Sequence, residues 1–363
     1  MAGCEPSNRQ LQMDPTRAYV DARSRLLQAA EDPDPRVRTH ALEALAATEA
    51  QAAGPVMMQA LRDDRLPVIS AAVMAVGETC YAPAMPALLE LIQHPGTPPK
   101  LRCVVIYALH RLGNDSYTTQ LAELLHNPDK LVRAEAARVM GKMGEPSAVD
   151  LLKARQMDDP DVVVRLNIAE SLAVLGDERS LGLLEGYTKS MFVEDRLIAV
   201  AALGGLRHRR SVYVLRRLVR DANQGPIVQV AAAGALARLG EQPDPEPVLQ
   251  AARDPAGVLR KGLRRGATLQ ENEIDNLQTL ALLSLEQIGD PAAVDVIHPL
   301  LRSPRGPVAV AAARAILRLI RQYRPVAAAP EPVAKPPAQP PPPTQPAATQ
   351  PAPPALRTSG GKD

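Results

Sequence analysis

If this chain performs chemistry, a few side chains must carry it. Its six histidines are His40, His94, His110, His126, His208 and His298. None is followed by Glu or Asp, and they fall at unrelated positions, so no metal-ligating pair is written into the sequence. There is no Gly-rich phosphate loop, no Cys-x-x-Cys pair and no nucleophile elbow. The three cysteines, Cys4, Cys80 and Cys103, are too few for a disulfide framework. Cys80 and Cys103 lie inside helical patterns and read as small buried apolar residues. No catalytic, cofactor-binding or metal-binding residue is assigned, and no cofactor is expected.

The cations are more informative. Arg38, Arg102, Arg133, Arg165 and Arg196 recur at near-constant spacing. Tyr107, Arg111, Arg138 and Lys142 fall where two neighbouring helices would present one basic patch with an aromatic member, bordered by Glu135 and Glu170. Arg260, Lys261, Arg264 and Arg265 form a second basic cluster in a loop or short helix. Either group offers an acidic surface something to hold. The whole chain has 42 basic and 40 acidic residues and a net charge of +2, with 2% aromatic residues. A dedicated nucleic-acid binder shows a basic excess and stacking aromatics, so nucleic acid is not an expected partner.

The elements that position these residues follow from spacing. One anchor position recurs at Arg38, Ser70, Arg102, Arg133, Arg165, Arg196, Gln229, Gln278 and Ala309. The gaps are 32, 32, 31, 32, 31, 33, 49 and 31 residues, so the eighth unit carries an insertion of about seventeen residues, near 254–271. After each anchor, small and aliphatic residues stand three, four and seven positions on, the stripe of an amphipathic helix. Eleven positions on, Gly113, Gly144, Gly176, Gly240 and Gly289 are placed to end that helix in a left-handed cap. A first helix precedes each anchor helix, clearest over 84–92, 118–125, 148–154, 212–219 and 293–301. Asp and Pro in the joining turns, as in Asp32-Pro33-Asp34-Pro35, cap and start the second helix.

The pattern Asp-Pro-Asp-x-Val-Arg-x-x-Ala-x-x-Ala-Leu-x-x-Leu-Gly resembles the HEAT-like repeat of the phycobilisome-lyase type, an armadillo-like fold. The closest copies run over 32–45, 128–144 and 159–176. Unit two has Ser70 in place of Arg, and units seven to nine have also lost it. The resemblance implies an all-α, right-handed α-solenoid of about nine two-helix units over residues 17–323. Its second helices would line an extended concave face. It also implies an enzymatic alternative. Deoxyhypusine hydroxylase is built from similar repeats and holds iron through His-Glu pairs, which this sequence lacks. Bilin lyases share the repeat, but so few aromatics give a flat tetrapyrrole little to stack on. The five anchor arginines are expected to form a structural ladder with Asp of the turns.

Two flanking segments complete the layout. Residues 324–363 contain thirteen prolines in forty residues and cannot be helical, so an extended tail is expected. Residues 1–16 form a polar linker, and Met1-Ala2-Gly3-Cys4 resembles the end of a bacterial lipobox. That makes Cys4 a candidate lipidation site if the true start lies upstream, with the protein in the cell envelope. Otherwise a cytoplasmic protein is expected. The functional expectation is a monomeric, non-catalytic scaffold that binds a protein or peptide, meeting a membrane only through that anchor.

Overall fold

In the computed structural model, residues 11–261 and 268–323 are described. Among them there is no β-strand, and nine two-helix units follow one another. The second helices are α2 (Pro35–Thr48), α4 (Leu66–Thr79), α6 (Pro99–Arg111), α8 (Lys130–Met143) and α10 (Val162–Val174), then α12 (Val193–Gly205), α14 (Pro226–Arg238), α17 (Glu271–Ile288) and α19 (Gly306–Tyr323). The first helices are α1 (Pro15–Ala29), α3 (Ala50–Ala60), α5 (Met85–Gln93), α7 (Gln120–Leu124) and α9 (Ala148–Asp158), then α11 (Glu178–Tyr187), α13 (Arg209–Arg220), α15 (Glu246–Arg253) and α18 (Ala293–Ile297). The insertion contributes a short extra helix, α16 (Pro255–Arg260).

Local chemistry explains the boundaries. Asp34, Asp129 and Asp161 accept hydrogen bonds from the amides of Arg36, Leu131 and Val163, satisfying donors that the helix start leaves open. All five cap glycines named from the sequence adopt positive φ, between 77° and 91°.

The stack does not remain open. Each second helix packs on the next, and α19 packs back onto α1 and α2. Nine units therefore close into a ring, at about 40° per unit. The closing contacts are specific. Gln12 and Met13 donate backbone N–H groups to Asp295, each at 2.9 Å. His298 Nε2 lies 2.9 Å from Asp21 Oδ2. Buried Glu49 accepts from Tyr19 Oη at 2.9 Å and Arg321 Nη2 at 3.1 Å. The expected open concave face is instead the inner wall of a closed ring.

Glycines allow the inner helices to approach. A Cβ on Gly141 of α8 would stand 2.6 Å from Ser171 Cβ of α10, and one on Gly204 of α12 would stand 2.6 Å from Ala235 Cβ of α14. Core residues are mainly Ala, Leu and Val, whose small volumes suit this spacing. The seam between α10 and α12 is packed less closely than its neighbours.

Candidate partner-binding surface

The anchor arginines sit at the start of the second helices and reach back to the end of the first. Arg38 Nη1 donates to the carbonyls of Asp32 and Pro33, and its other nitrogens hold Asp63 of the next unit at 2.9 Å. Arg133 repeats this, donating to Asn127 O and Pro128 O and to both oxygens of Asp159, at 2.7 and 3.0 Å. Asp159 is 2% exposed. Burial alone would raise its pKa, but Arg133, the Asp161 amide and Arg155 together hold it down at about 2. Arg102 meets no carboxylate; it clasps the carbonyls of Ile92, His94 and Thr97. Arg165 donates to Asp159 O, and Arg196 to Gln224 Oε1. Gln229 and Gln278 donate to Asp221 O and Ala252 O. The recurrent task at this position is thus clasping carbonyls, which an amide also does. Bidentate carboxylate bridges to the next unit form at Arg38 and Arg133.

The basic patch expected from Tyr107, Arg111, Arg138 and Lys142 differs from its sequence reading. Tyr107 is 5% exposed, because its ring packs against Gly77 of α4. Lys142 lies over that ring, 5.7 Å from its centre, and reaches across α6 to Glu78. Arg138 is held by Glu135. Arg111 Nε donates to Gly77 O at 3.2 Å. Arg138 and Lys142 are thus paired with carboxylates, while Arg111, which is exposed, meets a backbone carbonyl and the Cys80 thiol. Burial raises the pKa of nearby Glu170, against the pull of Arg138, Arg238 and Lys142.

In the insertion, Arg260 and Lys261 are exposed at the end of α16. Arg264 and Arg265 lie outside the described residues, as does Cys4. Cys103 is buried, which pushes its thiol pKa to about 12.

The sequence reading missed an apolar arc on one rim. The turns joining first and second helices all lie on that rim. In three successive units they expose Leu131, then Met157, Val162 and Val163, then Met191 and Phe192. Met157 and Met191 are each 85% exposed, and Phe192, the chain's single Phe, is 60% exposed. Exposed large apolar side chains gathered on one part of a surface mark an interaction site. The signal was present in the sequence. Leu131, Val163 and Phe192 occupy turn and first-turn positions, outside the apolar stripe, where polar residues are the rule.

Among the described residues, no group of three His, Cys, Asp or Glu could hold a metal ion, so the donors do not fit the iron implied by the family resemblance. A cleft of about 470 Å³ contains His110, Asp115, Thr118, Thr119 and Glu145. His110 Nδ1 stands 2.6 Å from Asp115, and its Nε2 faces Glu145 at 3.8 Å. With both ring nitrogens turned to carboxylates, neither is placed to take a hydroxyl proton from a threonine.

The family match agrees with a stack of helical repeats. The family described as HEAT repeats matches residues 23–98, 85–173 and 180–268, about two-thirds of the chain. Deoxyhypusine hydroxylase from Rattus norvegicus is 24% identical over 196 residues, covering 49% of this chain and 63% of that protein. This chain therefore aligns with less than two-thirds of the curated relative's length. The CpcE–CpcF complex of phycocyanin lyase from Nostoc sp. PCC7120 has 17% identity and a TM-score of 0.41, covering 72% of this chain and all of that one. Human deoxyhypusine hydroxylase has 16% identity and a TM-score of 0.33, covering 84% of this chain and 99% of that one.

Proposed function

Because the chain belongs to the HEAT-repeat family, we propose that it is a non-catalytic scaffold whose protein partner docks an apolar segment on the turn rim of units four to six. One observation carries this reading: Leu131, then Met157, Val162 and Val163, then Met191 and Phe192 are exposed at three successive turns. Burying such side chains releases about 1.5–3 kcal/mol each, so a few suffice as a hot spot. The described basic residues of the insertion, Arg260 and Lys261, lie on the same rim.

The test is affinity capture with the full chain and with Met191→Asp/Phe192→Asp, quantified by mass spectrometry. The reading expects one protein to be lost from the variant while its melting temperature is unchanged. An identical set of captured proteins would contradict it. A concentration-dependent dimer abolished by the same substitutions would assign the rim to a second copy instead.

Two further readings have their own support. The match to deoxyhypusine hydroxylase favours an enzyme or lyase-like accessory, which stoichiometric iron in the purified protein would support. The Met1-Ala2-Gly3-Cys4 tetrapeptide favours an acyl chain on Cys4, which the mass of the native protein would reveal.

A further inference from the structure

Charge is closely balanced over most of the ring, and one outer helix departs from that balance. Between residues 207 and 220 the sequence has six arginines, one exposed tyrosine and no acidic residue. On α13, Arg209, Arg210, Tyr213, Arg216, Arg217 and Arg220 fall on a single arc of about 120°, by helical periodicity. All six are exposed, and Tyr213 is 66% exposed. The opposite face, with Ser211, Val214, Leu215 and Leu218, is buried in the core.

Neighbouring carboxylates answer only part of this charge. Arg210 pairs with Glu185, and Arg216 with Glu241. No ion pair forms at Arg207, Arg209, Arg217 or Arg220 among the described residues, although Asp221, one turn beyond Arg217, lies near enough to feel its charge. At the start of α13, a cleft of about 480 Å³ is lined by Arg207, His208, Arg209 and Arg238 and by no acidic side chain. His208 Nδ1 accepts from the Arg210 amide, which leaves its Nε2 as a donor. Burial lowers the Arg238 pKa, and Glu286 and Glu170 offset that only in part. Every cation on the stripe is Arg, whose planar fork binds carboxylates in a bidentate way.

We propose that the cleft and the outer face of α13 form a docking stripe for an acidic peptide segment of a partner protein. Its length, about 16 Å over Arg209–Arg220, matches roughly five residues of extended chain. Its width favours a peptide over a membrane. Glu185 stands on one side and Glu241 on the other, so a flat anionic bilayer would meet these carboxylates as well. The apolar face of α13 is already used in the core and has nothing to insert into lipid. Tyr213 supplies an aromatic contact at the centre of the stripe. This site is separate from the apolar rim, and neither proposal depends on the other.

The experiment measures fluorescence anisotropy of a fluorescein-labelled hexaglutamate peptide with the full chain at 50 and 150 mM salt. Binding is expected, weaker at the higher salt, and at least tenfold weaker in Arg217→Glu/Arg220→Glu. The charge-conserving Arg217→Lys/Arg220→Lys should lose a smaller factor, about threefold, because the fork is gone while the charge remains. Arg260→Glu/Lys261→Glu and Met191→Asp/Phe192→Asp should bind as the unchanged chain does. Circular dichroism melts establish that each variant is folded. Equal affinity in Arg217→Glu/Arg220→Glu would overturn the proposal. So would tighter binding to phosphatidylglycerol vesicles or single-stranded DNA than to the peptide.

Discussion

Asp159 shows how much of this fold rests on single buried charges. It takes hydrogen bonds from Arg133 and Arg155 and anchors the turn of its own unit. Replacing it with Asn leaves Arg133 buried without a counter-charge, and a loss on the order of 3 kcal/mol is expected in urea unfolding. Its pH dependence has a definite sign. The folded pKa, about 2, lies below the ordinary 3.8, so the carboxylate stabilises the fold above about pH 4. That contribution, roughly 2 kcal/mol, is lost as pH falls from 4 towards 2. Asp159→Asn should flatten this part of the stability profile. The recurrent Arg was legible in the sequence, because it sits at a fixed offset in a periodic pattern. Its partners were less so. Arg102 finds only carbonyls, and nothing in the local sequence distinguishes it from Arg133, whose carboxylate lies in the following unit.

At the scale of elements, periodicity marks second helices reliably and first helices loosely. The glycine caps could be read directly, since each ends an apolar stripe and each takes a left-handed conformation. The helix expected over 118–125 is shorter, Gln120–Leu124, and the one over 293–301 continues as a 3₁₀ turn from His298 to Arg302. Pro299 near the start of that turn explains the change, because it cannot supply an amide to an α-helical ladder. The helix expected over 212–219 is longer, Arg209–Arg220, because exposed arginines extend it at both ends. Spacing alone did not reveal which glycines serve close approach between helices. Gly141→Ala would press a methyl into Ser171, and overpacking of this kind costs about 1–3 kcal/mol. A thermal melt should show a fall of several degrees, about 2–4 °C per kcal/mol for a domain of this size. Gly182→Ala, where a Cβ meets nothing within 4 Å, should shift it far less.

For the whole molecule, closure changes what a repeat array does. An open solenoid presents two ends that fray and a concave face that is free to bind. Here the end units cover each other through Asp295, Asp21, Glu49 and the apolar faces of α1, α2 and α19. Ion pairs between second helices, such as Lys142 with Glu78 and Arg314 with Glu286, occupy part of the inner wall, and the outer helices and the rims offer further surface. With no free end, urea unfolding should be a single transition, and a stepwise loss of terminal units would argue against a closed ring. The closure itself could not be read from the sequence. It depends on a rotation of about 40° at each junction, set by side-chain volumes such as those at Gly204 and Ala235, and small differences accumulate over nine junctions. The direct measurement is a spin-label distance between Ser24 and Ser303, which line the same cleft between the first and last units. Both would be changed to Cys in a chain whose Cys4 and Cys80 are Ser; Cys103 is buried and does not compete for label. A closed ring predicts a narrow distribution below about 20 Å. An open stack of nine units spaced at about 10 Å would separate them by well over 40 Å, and that result would contradict the account.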